Sequence, residues 1–404
     1  MPGYTSYTYP HPLVSGDATA PKEDSAIAQH QVRNDSASNR ILVTGSNGFI
    51  GSKVVEKLLQ YGFANIRCFV RPSSQLVRLE ELMSRFPERD VELVTGDLLS
   101  GDDCRKAAEG VSIIYHLAAG MEKSFAGAFM NSALATRNLM DAFLQFGEPK
   151  RFVNISSFAV YSNFGLKRGA LLDENCPLED APQKRFDAYG FGKLKQEELV
   201  REYGEKYKLP YVILRPGYVF GPGKTELNGR VGINTFGCFI QVDGSHLLPL
   251  TFVDNCAEAI VLAGLKAGVD GEVFNVVDDD LLTSRQFLRL YKKRVNRFSV
   301  WIPYFVAHAL SLLWEKYSKW SQGQLPPAFN RRRCSAEWKP MRYSNQKLRD
   351  RLGWKPRVPM KQAMDAFLSQ FDMNGELRGQ KTEGDEGSLN RSACVKNYGA
   401  TGDR

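Results

Sequence analysis

A tyrosine and a lysine stand four residues apart in the segment Tyr189-Gly-Phe-Gly-Lys193. Residues at this spacing share one face of an α-helix, so both side chains can reach a single substrate carbon. A free phenol has a pKa near 10, and a neighbouring ammonium group lowers that value toward neutral pH. The pair therefore predicts proton transfer at an alcohol, with Tyr189 as general base or acid. The spacing alone is a weak signal, because a solvated helix surface can carry it by chance.

Ser157 strengthens this interpretation. It lies in Ile155-Ser-Ser-Phe-Ala-Val-Tyr161, directly after an apolar run that predicts a strand. From there its hydroxyl could hydrogen-bond the substrate oxygen and hold it in place while a hydride leaves or arrives. Ser157 by itself could equally cap the end of the strand. The order of a glycine loop, a serine and a Tyr–Lys pair, each on its proper element, is far less easily produced by chance.

The glycine loop is Thr44-Gly-Ser-Asn-Gly-Phe-Ile-Gly51. It follows a predicted strand and opens a predicted helix, where three glycines allow a tight turn, close approach to a pyrophosphate and close helix–strand packing. The helix N-terminus adds amide N–H groups and a positive dipole for phosphates. A loop that only connects strand to helix is the alternative. The predicted cofactor contacts in this loop are Gly45, Asn47, Gly48, Phe49, Ile50 and Gly51.

The choice between NAD and NADP depends on the end of the second strand. An acidic residue there accepts hydrogen bonds from the ribose of NAD. This chain has Val70-Arg71-Pro72 instead, and Arg71 could pair with the 2′-phosphate of NADP. We therefore favour NADP over NAD, although Arg71 could also point into solvent. Further predicted contacts are Asp97 and Leu98 after the third strand and the small residues Ala118 and Ala119 after the fourth, whereas His116 is expected to be a packed residue without a chemical role.

The elements that position these residues alternate regularly between strand and helix. Apolar runs predict strands at 41–43, 66–70, 91–94, 113–115, 152–155 and 211–214, and helical patterns cover Asn131–Phe146 and Tyr189–Tyr207. Strands that alternate with helices indicate parallel βαβ units. The predicted fold class is α/β: a Rossmann-type doubly wound parallel sheet with a smaller, interleaved C-terminal substrate-binding lobe. Ligands bind at the carboxyl ends of strands in such sheets.

Composition divides the chain into four segments. Residues 1–38 and 374–404 are rich in polar and small residues without periodicity and are predicted to be disordered. Residues 39–215 should form the dinucleotide-binding domain with the catalytic residues. Residues 216–373 should form the substrate-binding lobe, with some elements that return to the Rossmann sheet.

The overall composition narrows the function classes. The chain of 404 residues has a modest net charge of +8, and no dense basic tract indicates nucleic acid. Seven cysteines without CxxC spacing favour reduced thiols and a cytoplasmic protein. Five histidines without ligand spacing predict no metal site. The N-terminus lacks the apolar stretch of a signal peptide. We expect a small-molecule substrate and a homodimer.

The chain resembles the extended short-chain dehydrogenases/reductases, of the NAD-dependent epimerase/dehydratase and 3β-hydroxysteroid dehydrogenase kind. The resemblance covers roughly residues 40–370 and rests on several motifs: Thr44–Gly51, Gly96–Leu98, His116–Ala119, Phe152–Tyr161, Tyr189–Lys193, Leu214–Pro222, Phe252–Asn255, Ser344–Lys347 and Leu352–Pro356. It implies that Ser157, Tyr189 and Lys193 form the catalytic set and that Tyr189 and Lys193 also contact the cofactor. It further implies cofactor contacts from the Arg215–Gly217 turn, at Pro216 and Gly217.

Three positions depart from the family pattern. Ser132 occupies the place of an Asn that usually stands four residues before Thr136. Gly192 replaces the small hydroxyl residue that commonly precedes the lysine. Arg71 replaces the usual acid of members that use NAD.

The substrate is less well determined. Nucleotide-sugar epimerases of this kind often carry an Arg shortly before Val253-Asp254 that grips pyrophosphate, and none stands there. Arg230 or the run Arg331–Arg333 could take that role, although a solvated loop is the simpler interpretation of the run. The apolar segment 300–314 is too short to span a bilayer. It predicts a packed or substrate-covering helix, with an interfacial helix and peripheral membrane contact as the alternative.

Three hypotheses follow. The first is hydride transfer at a secondary alcohol or ketone, with a sterol-like or other apolar substrate favoured. The second is a nucleotide-sugar epimerase or dehydratase that retains its cofactor. The third is a catalytically silent dinucleotide sensor.

Overall fold

A seven-stranded parallel sheet forms the centre of the protein. The computed structural model describes residues 39–372, except 121–123, 226, 228, 236–237 and 323. The first six strands in chain order are β1 (Ile41–Thr44), β2 (Asn65–Val70), β3 (Asp90–Thr95), β4 (Ile113–His116), β5 (Arg151–Ile155) and β6 (Leu171–Leu172). They are followed by β7 (Tyr211–Pro216), β8 (Tyr218–Phe220), β9 (Ile233–Thr235), β10 (Cys238–Val242), β11 (Leu250–Phe252), β12 (Val273–Val276), β13 (Ser299–Ile302) and β14 (Arg342–Tyr343).

The helices lie between these strands. Those of the first half are α1 (Gly51–Gln60), α2 (Val77–Ser84), α3 (Gly101–Ala108), α4 (Phe125–Ala128), a π-helix (Phe129–Leu134), α5 (Ala135–Phe146), a 3₁₀-helix (Phe158–Val160), α6 (Pro182–Arg185) and α7 (Ala188–Tyr207). The second half contributes α8 (Val253–Leu265), α9 (Ser284–Tyr291), α10 (Tyr304–Trp320), α11 (Arg331–Trp338), α12 (Gln346–Leu352) and α13 (Met360–Leu368).

The order of the sheet is β12-β7-β5-β4-β1-β2-β3. From β1 the chain moves outward through β2 to β3, and then crosses to β4 on the other side. The carboxyl ends of β1 and β4 therefore flank the point where the winding direction reverses, which is where doubly wound sheets bind ligands. The predicted fold class and the six predicted strands are confirmed, because buried apolar runs are the expected sequence of strands covered on both faces.

Two apolar layers hold the sheet. On one face α1 and α8 bury Val54, Val55, Leu58 and Ile260 against the strands. On the other face α3, α5 and α7 bury a second set that includes Leu139, Phe143 and Val200. One helix prediction needs correction: within 131–146, the chain is a π-helix as far as Leu134 and an α-helix only from Ala135.

Elements from residues 216–373 complete the central sheet. Strand β12 pairs with β7, and α8 contributes to the same core as β1. The rest of this half forms the small sheets β13-β10-β9 and β11-β8, and β14 pairs with β6 of the first half. A separate aromatic core in this half includes Phe220, Phe287 and Phe367. The division into domains at residue 215 stays a prediction, and the segments 1–38 and 374–404 lie outside the described residues.

Two segments differ from their expected form. The apolar segment 300–314 is divided by Pro303, which ends β13 and precedes α10. Pro lacks the N–H that a continuing element needs, so the run becomes a short strand and a helix. The arginine run 331–333 is not a loop. It forms the first turn of α11, where the Asn330 side chain accepts a hydrogen bond from the Arg333 amide.

Candidate active site

The glycine loop leaves no room for side chains at two positions. Gly45 has φ +68°, and a Cβ there would lie 3.0 Å from the Ala118 amide nitrogen. A Cβ on Gly51 would lie 2.0 Å from the carbonyl oxygen of Gly45. Gly45 and Gly51 thus allow the loop to pack against the end of β4 while α1 starts immediately behind it. Only glycine tolerates both this φ and these distances.

The N-terminus of α1 is available to an anion. No side chain caps it, and no acidic residue lies in its first turn. Asn47, Phe49 and Ile50 are half-buried, while Gly48 is exposed beside them. A loop without side-chain bulk that leads into an uncapped helix end fits the pyrophosphate of a dinucleotide.

Arg71 follows β2 directly and is exposed. Ser46, in the glycine loop, donates a hydrogen bond to the carbonyl oxygen of Phe69, so the loop is tied to the end of the strand that Arg71 continues. Among the described residues, the Arg71 guanidinium enters no ion pair. It is therefore free to meet a phosphate near the glycine loop.

The remaining predicted cofactor residues surround the same sheet edge. Asp97 is exposed after β3, and one of its carboxylate oxygens accepts a hydrogen bond from the Leu99 amide. Leu98 is buried behind it. Ala118 and Ala119 are half-buried after β4, and the Ala118 amide donates to the Thr44 hydroxyl across from β1. All four follow the carboxyl ends of β3 and β4, at the same edge of the sheet as the glycine loop.

Ser157 and Tyr189 meet at this edge. Ser157 follows β5, and its hydroxyl accepts a hydrogen bond from the Ala159 amide at 3.1 Å. Tyr189 lies in the first turn of α7, and the Ser157 side chain is close enough to favour ionisation of its phenol by lowering the pKa. Both side chains remain half-buried, so they are accessible from the carboxyl end of the sheet. A hydroxyl and a phenol at the same edge of the sheet can both reach one substrate oxygen.

A buried arginine, Arg185, links the loop after Ser157 to the helix that carries Tyr189. The Arg185 guanidinium donates to the carbonyl oxygens of Tyr161 and Ala159 on the loop after Ser157. It also pairs with Asp187 at 2.6 Å. Asp187 in turn caps α7 by accepting a hydrogen bond from the Gly190 amide at 2.8 Å. The Arg185–Asp187 pair therefore connects the serine loop to the helix that carries Tyr189.

Lys193 is buried below Tyr189 and points into the protein. Its ammonium group donates to the carbonyl oxygen of Ile155 and, at 3.0 Å, to Oε1 of Gln196. The Gln196 amide nitrogen donates to the Thr136 hydroxyl at 2.8 Å. Thr136 contacts Nε2 of His116, also at 2.8 Å, and Nδ1 of His116 contacts the Thr44 hydroxyl at the same distance. A buried polar chain thus runs from Lys193 to the strand before the glycine loop.

The hydrogen bonds assign the protons in this chain. Thr136 donates its single hydroxyl proton to the Ser132 carbonyl oxygen, so Nε2 of His116 must carry the proton that it shares with Thr136. Nδ1 then accepts from Thr44, whose hydroxyl oxygen accepts from the Ala118 amide. Burial lowers the pKa of His116 to about 3, which keeps the ring neutral. His116 is a packed residue, as expected, and it also joins Thr44 to Thr136.

Burial lowers the pKa of Lys193 to about 7, and nearby Glu197 opposes that shift. Burial raises the pKa of Tyr189; the nearby Ser157 side chain opposes this shift, and the charge of Asp187 adds to it. Lys193 is not among the groups that shift this pKa, because its ammonium group is turned toward Ile155 and Gln196. That Lys193 lowers the pKa of Tyr189 during catalysis stays a prediction.

The Arg215 side chain is engaged within the protein. It forms a buried bidentate pair with Glu197 of α7, at 2.8 and 2.6 Å, and donates to the Tyr161 hydroxyl. The guanidinium therefore joins α7 to β7. The Gly217 amide donates to the Val276 carbonyl oxygen, and a Cβ there would lie 2.0 Å from the Pro249 carbonyl oxygen. Gly217 serves chain packing, and Pro216 is buried beside it.

Two of the departures from the family pattern contact each other. A Cβ on Gly192 would lie 3.0 Å from the Ser132 hydroxyl oxygen, so α7 packs closely on the π-helix at this point. The Ser132 hydroxyl accepts a hydrogen bond from the Gly120 amide. Ser132 therefore holds the loop after β4. A π-helical turn at this place is typical of functional sites.

Sequence reasoning missed Gln196, Thr136, Arg185 and Asp187. Gln196 could have been found, because it stands three residues after Lys193 on the same helix face. Asp187 shows the sequence of a helix cap before α7. Arg185 carried no signal, since its contacts are made by a loop distant in the sequence.

The described residues give little support for a metal site or a reactive cysteine. No group of three or more His, Cys, Asp or Glu side chains is placed to hold a metal ion. Burial raises the pKa values of Cys68, Cys104, Cys256 and Cys334, so these thiols are poor nucleophiles. In the part of the chain that the structure describes, no helix is long and apolar enough to cross a bilayer.

The doubly wound sheet, with a glycine loop after β1 and with Ser157 and Tyr189 at the same carboxyl edge, fits an extended short-chain dehydrogenase/reductase. Comparison with known proteins agrees. Residues 41–276 match the model of the NAD dependent epimerase/dehydratase family, and the chain belongs to that family. It is therefore an enzyme that uses NAD or NADP on a small-molecule substrate.

The similar proteins include a sterol dehydrogenase and nucleotide-sugar epimerases. The chain is 24% identical over 371 residues to a decarboxylating sterol-4-alpha-carboxylate 3-dehydrogenase of Mus musculus, covering 87% of this chain and 96% of the relative. It is 30% identical over 257 residues to the uncharacterized UDP-glucose epimerase YtcB of Bacillus subtilis, covering 59% and 76%. The structure of UDP-glucuronic acid 4-epimerase from Bacillus cereus in complex with NAD matches with a TM-score of 0.61 and 21% identity, over 82% and 97% of the two chains. This structural likeness concerns the fold.

Proposed function

We propose that this enzyme oxidises a secondary alcohol to a ketone, or performs the reverse reduction, on a sterol-like or other apolar substrate. The observation that carries the proposal is the placement of Ser157, directly after β5, close to Tyr189, in the first turn of α7, at the carboxyl edge of the sheet. Bound NAD or NADP would supply the site that accepts or returns the hydride. The chain's own residues would manage the oxygen and its proton.

In the oxidation direction, Tyr189 takes the proton from the substrate hydroxyl as the C–H bond gives up its hydride. Ser157 donates a hydrogen bond to the same oxygen and holds it in place. For this step the phenol must ionise near neutral pH, although burial raises its pKa. Lys193 lies four residues after Tyr189 on the same helix face, a position from which its ammonium group could reach both Tyr189 and the ribose of a bound cofactor.

Glycine-loop geometry and the uncapped end of α1 support the cofactor contacts proposed for Gly45, Asn47, Gly48, Phe49, Ile50 and Gly51. We also propose contacts from Asp97, Leu98, Ala118, Ala119 and Pro216, which lie at the same edge. Gly217 is a weaker candidate, since its amide is already bonded to Val276.

The arginines that could grip a pyrophosphate already lie beside carboxylates, and this favours an apolar substrate. Arg331 pairs with Glu315, and Arg332 pairs with Glu179 and Asp180. Arg230 lies 3.9 Å from Glu337. Side chains already engaged in this way would have to give up an ion pair to grip a pyrophosphate. The similarity to a sterol dehydrogenase over most of both chains points the same way.

A nucleotide-sugar epimerase is the second candidate, favoured by the 30% identity to YtcB. A panel of 3β-hydroxysterols, other secondary alcohols and nucleotide sugars separates the two with purified protein. A dehydrogenase changes the nicotinamide absorbance in proportion to product, whereas an epimerase changes the product without net absorbance change. A silent sensor would do neither.

Tyr189→Phe tests the catalytic assignment. The variant lacks the phenolic oxygen, so we expect turnover to fall by at least about 100-fold, the usual contribution of general acid–base catalysis. Dinucleotide affinity, measured by fluorescence titration, should stay within about twofold. Full activity in the variant would refute Tyr189 as the acid or base.

Arg71 is proposed to select NADP. A charge-assisted contact with the 2′-phosphate should make NADPH bind about tenfold more tightly than NADH. Arg71→Ala should remove that difference without weakening NADH, and Arg89→Ala serves as a matched control at another arginine near the same end of the chain. Tighter binding of NADH by the wild-type enzyme would overturn the assignment.

A homodimer and a cytoplasmic location stay predictions. The exposed side chains of Phe129 and Met130 support self-association through the helices beside the active site. Light scattering on purified protein tests the prediction of a homodimer.

The six described cysteines are free thiols, which suits the reducing environment of the cytoplasm. Cell fractionation tests the predicted cytoplasmic location.

A further inference from the structure

Helix α10 has its apolar face turned away from the protein. The residues that it buries are Tyr304, Ala307, Ser311 and Ser318. The last three recur at intervals of four and seven residues and so form one narrow stripe. On the opposite side Phe305 is 69% exposed, Leu313 60% and Trp320 78%. A helix that packs on a soluble core shows the reverse arrangement.

The inward face of α10 is fastened by polar contacts. The Ser318 hydroxyl donates to the Leu325 carbonyl oxygen at 2.6 Å, and the Trp314 indole donates to the Pro326 carbonyl oxygen at 3.1 Å. Glu315 pairs with Arg331 at the start of α11. These bonds fix the rotation of the helix. The outward position of the large apolar side chains is therefore a property of the packing.

The charged residues of α10 leave a net positive charge beside its exposed apolar side chains. Glu315 is the only acid in α10, and its ion pair with Arg331 neutralises it. Lys316 and Lys319 are exposed, and neither enters an ion pair among the described residues. Tyr317 and Trp320 stand at the same end. An exposed stripe of Phe, Leu and Trp flanked by lysines is the composition of helices that lie in a membrane interface.

We propose that α10 binds the surface of an anionic phospholipid bilayer. Phe305, Leu313 and Trp320 enter the boundary between headgroups and acyl chains, and Lys316 and Lys319 meet anionic headgroups. The helix has 17 residues and is therefore about 25 Å long, and it lies parallel to the membrane. This agrees with the finding that no described helix can cross a bilayer. The expectation of a packed helix holds only for the narrow inward stripe.

The attachment of α10 and α11 places this surface close to the catalytic helix. The Asn330 side chain, which caps α11, donates to the Arg185 carbonyl oxygen at 3.1 Å. Arg185 is the residue that joins the serine loop to α7. A bilayer bound at α10 thus lies on the same structural unit that positions Tyr189. The membrane proposal does not depend on the identity of the substrate.

Vesicle flotation with the full chain tests the proposal. We expect the protein to float with vesicles of phosphatidylcholine and phosphatidylserine and to bind less to phosphatidylcholine alone. Leu313→Ser and Trp320→Ser should each weaken binding about tenfold, because each removes one inserted apolar side chain. Lys316→Glu with Lys319→Glu should remove the preference for phosphatidylserine. Leu171→Ser, at an exposed leucine on β6, is the matched control and should bind as wild type.

Dinucleotide affinity and the midpoint of thermal unfolding show that each variant remains folded. The proposal would be overturned if Leu313→Ser and Trp320→Ser bound both kinds of vesicle as tightly as the wild type does. It would also be overturned by a wild-type protein that ignores vesicles but forms a dimer which Trp320→Ser dissociates, since a second copy would then cover α10. Binding that appears only after deletion of residues 1–38 and 374–404 would show that the chain's own ends cover the helix.

Discussion

Lys193 shows how much one side chain depends on its surroundings. Its backbone position on α7 suits a partner of Tyr189, yet its ammonium group contacts Ile155 and Gln196 instead. Burial lowers its pKa to about 7. The charge of Lys193 therefore changes within the pH range in which the enzyme is expected to work. Gln196 supplies one of the two acceptors that hold this ammonium group.

Gln196 is accordingly a positioning residue whose replacement should move the pH profile. Gln196→Leu removes an acceptor from the charged form of Lys193, so its pKa should fall further and the alkaline limb of kcat/KM should shift to lower pH. Gln196→Glu places a carboxylate beside the ammonium group, which raises the pKa and should shift that limb to higher pH. Each shift should be about one pH unit.

The comparison of these two variants separates positioning from mere packing. Both change a buried side chain, so a purely structural role would lower activity without moving the profile in opposite directions. Steady-state rates measured across the pH range decide the point. Two profiles that coincide with that of the wild type would exclude a link between Gln196 and Lys193 in catalysis.

At the scale of elements, α7 is the part on which the site depends most. Its first turn carries Tyr189, its second carries Lys193, and Glu197 binds Arg215 in β7. Asp187 caps its N-terminus and also pairs with Arg185. The helix is thus fastened at both ends of its catalytic segment, to the serine loop and to the sheet.

Asp187→Ala should therefore affect activity as well as stability. Loss of the cap should cost about 1–2 kcal/mol in the free energy of unfolding. Loss of the Arg185 contact should let Tyr189 move relative to Ser157, and we expect kcat to fall about tenfold or more. Urea unfolding and steady-state rates measure the two effects.

Ser100→Ala is the matched control. Ser100 caps α3 by accepting a hydrogen bond from the Asp103 amide, away from the catalytic residues. It should lose about 1 kcal/mol of stability while keeping its kcat. Equal losses of kcat in the two variants would mean that the Asp187 effect is only general destabilisation.

At the scale of the whole molecule, the two halves of the chain share one core. Strand β12 extends the central sheet beyond β7, and Cys256, Ile260 and Val261 of α8 pack with Val43 and Leu58. Residues after 215 thus cover one face of the sheet that residues before 215 begin. A boundary at residue 215 separates the segments predicted to bind cofactor and substrate, but it does not separate two hydrophobic cores.

A fragment of residues 39–215 should therefore fail to fold. Without α8 and β12, the apolar face beneath α8 and the edge of β7 would be exposed to water and prone to aggregation. We expect insoluble protein, or soluble protein without a cooperative thermal transition by circular dichroism. Residues 39–373 are the control and should unfold cooperatively. A stable, dinucleotide-binding fragment 39–215 would show that the first half is an independent domain.

The strands, the glycine loop and the places of Ser157, Tyr189 and Lys193 on their elements can be read from the amino-acid sequence. Those features follow from local rules: apolar runs form buried strands, glycines permit positive φ and close approach, and a spacing of four residues fixes a helix face. The family pattern added their order along the chain. Together these signals predicted the fold class and the residues that the candidate site would bring together.

The direction of the Lys193 side chain became visible in the folded protein alone. The same holds for the buried chain through Gln196, Thr136 and His116 and for the ion pairs of Arg215 and Arg332. The folded protein also shows that α10 exposes its large apolar side chains. These features depend on contacts between residues that are far apart in the sequence. An apolar segment has the same sequence whether it is buried or exposed, because burial depends on the partner that packs against it and on which face that partner covers.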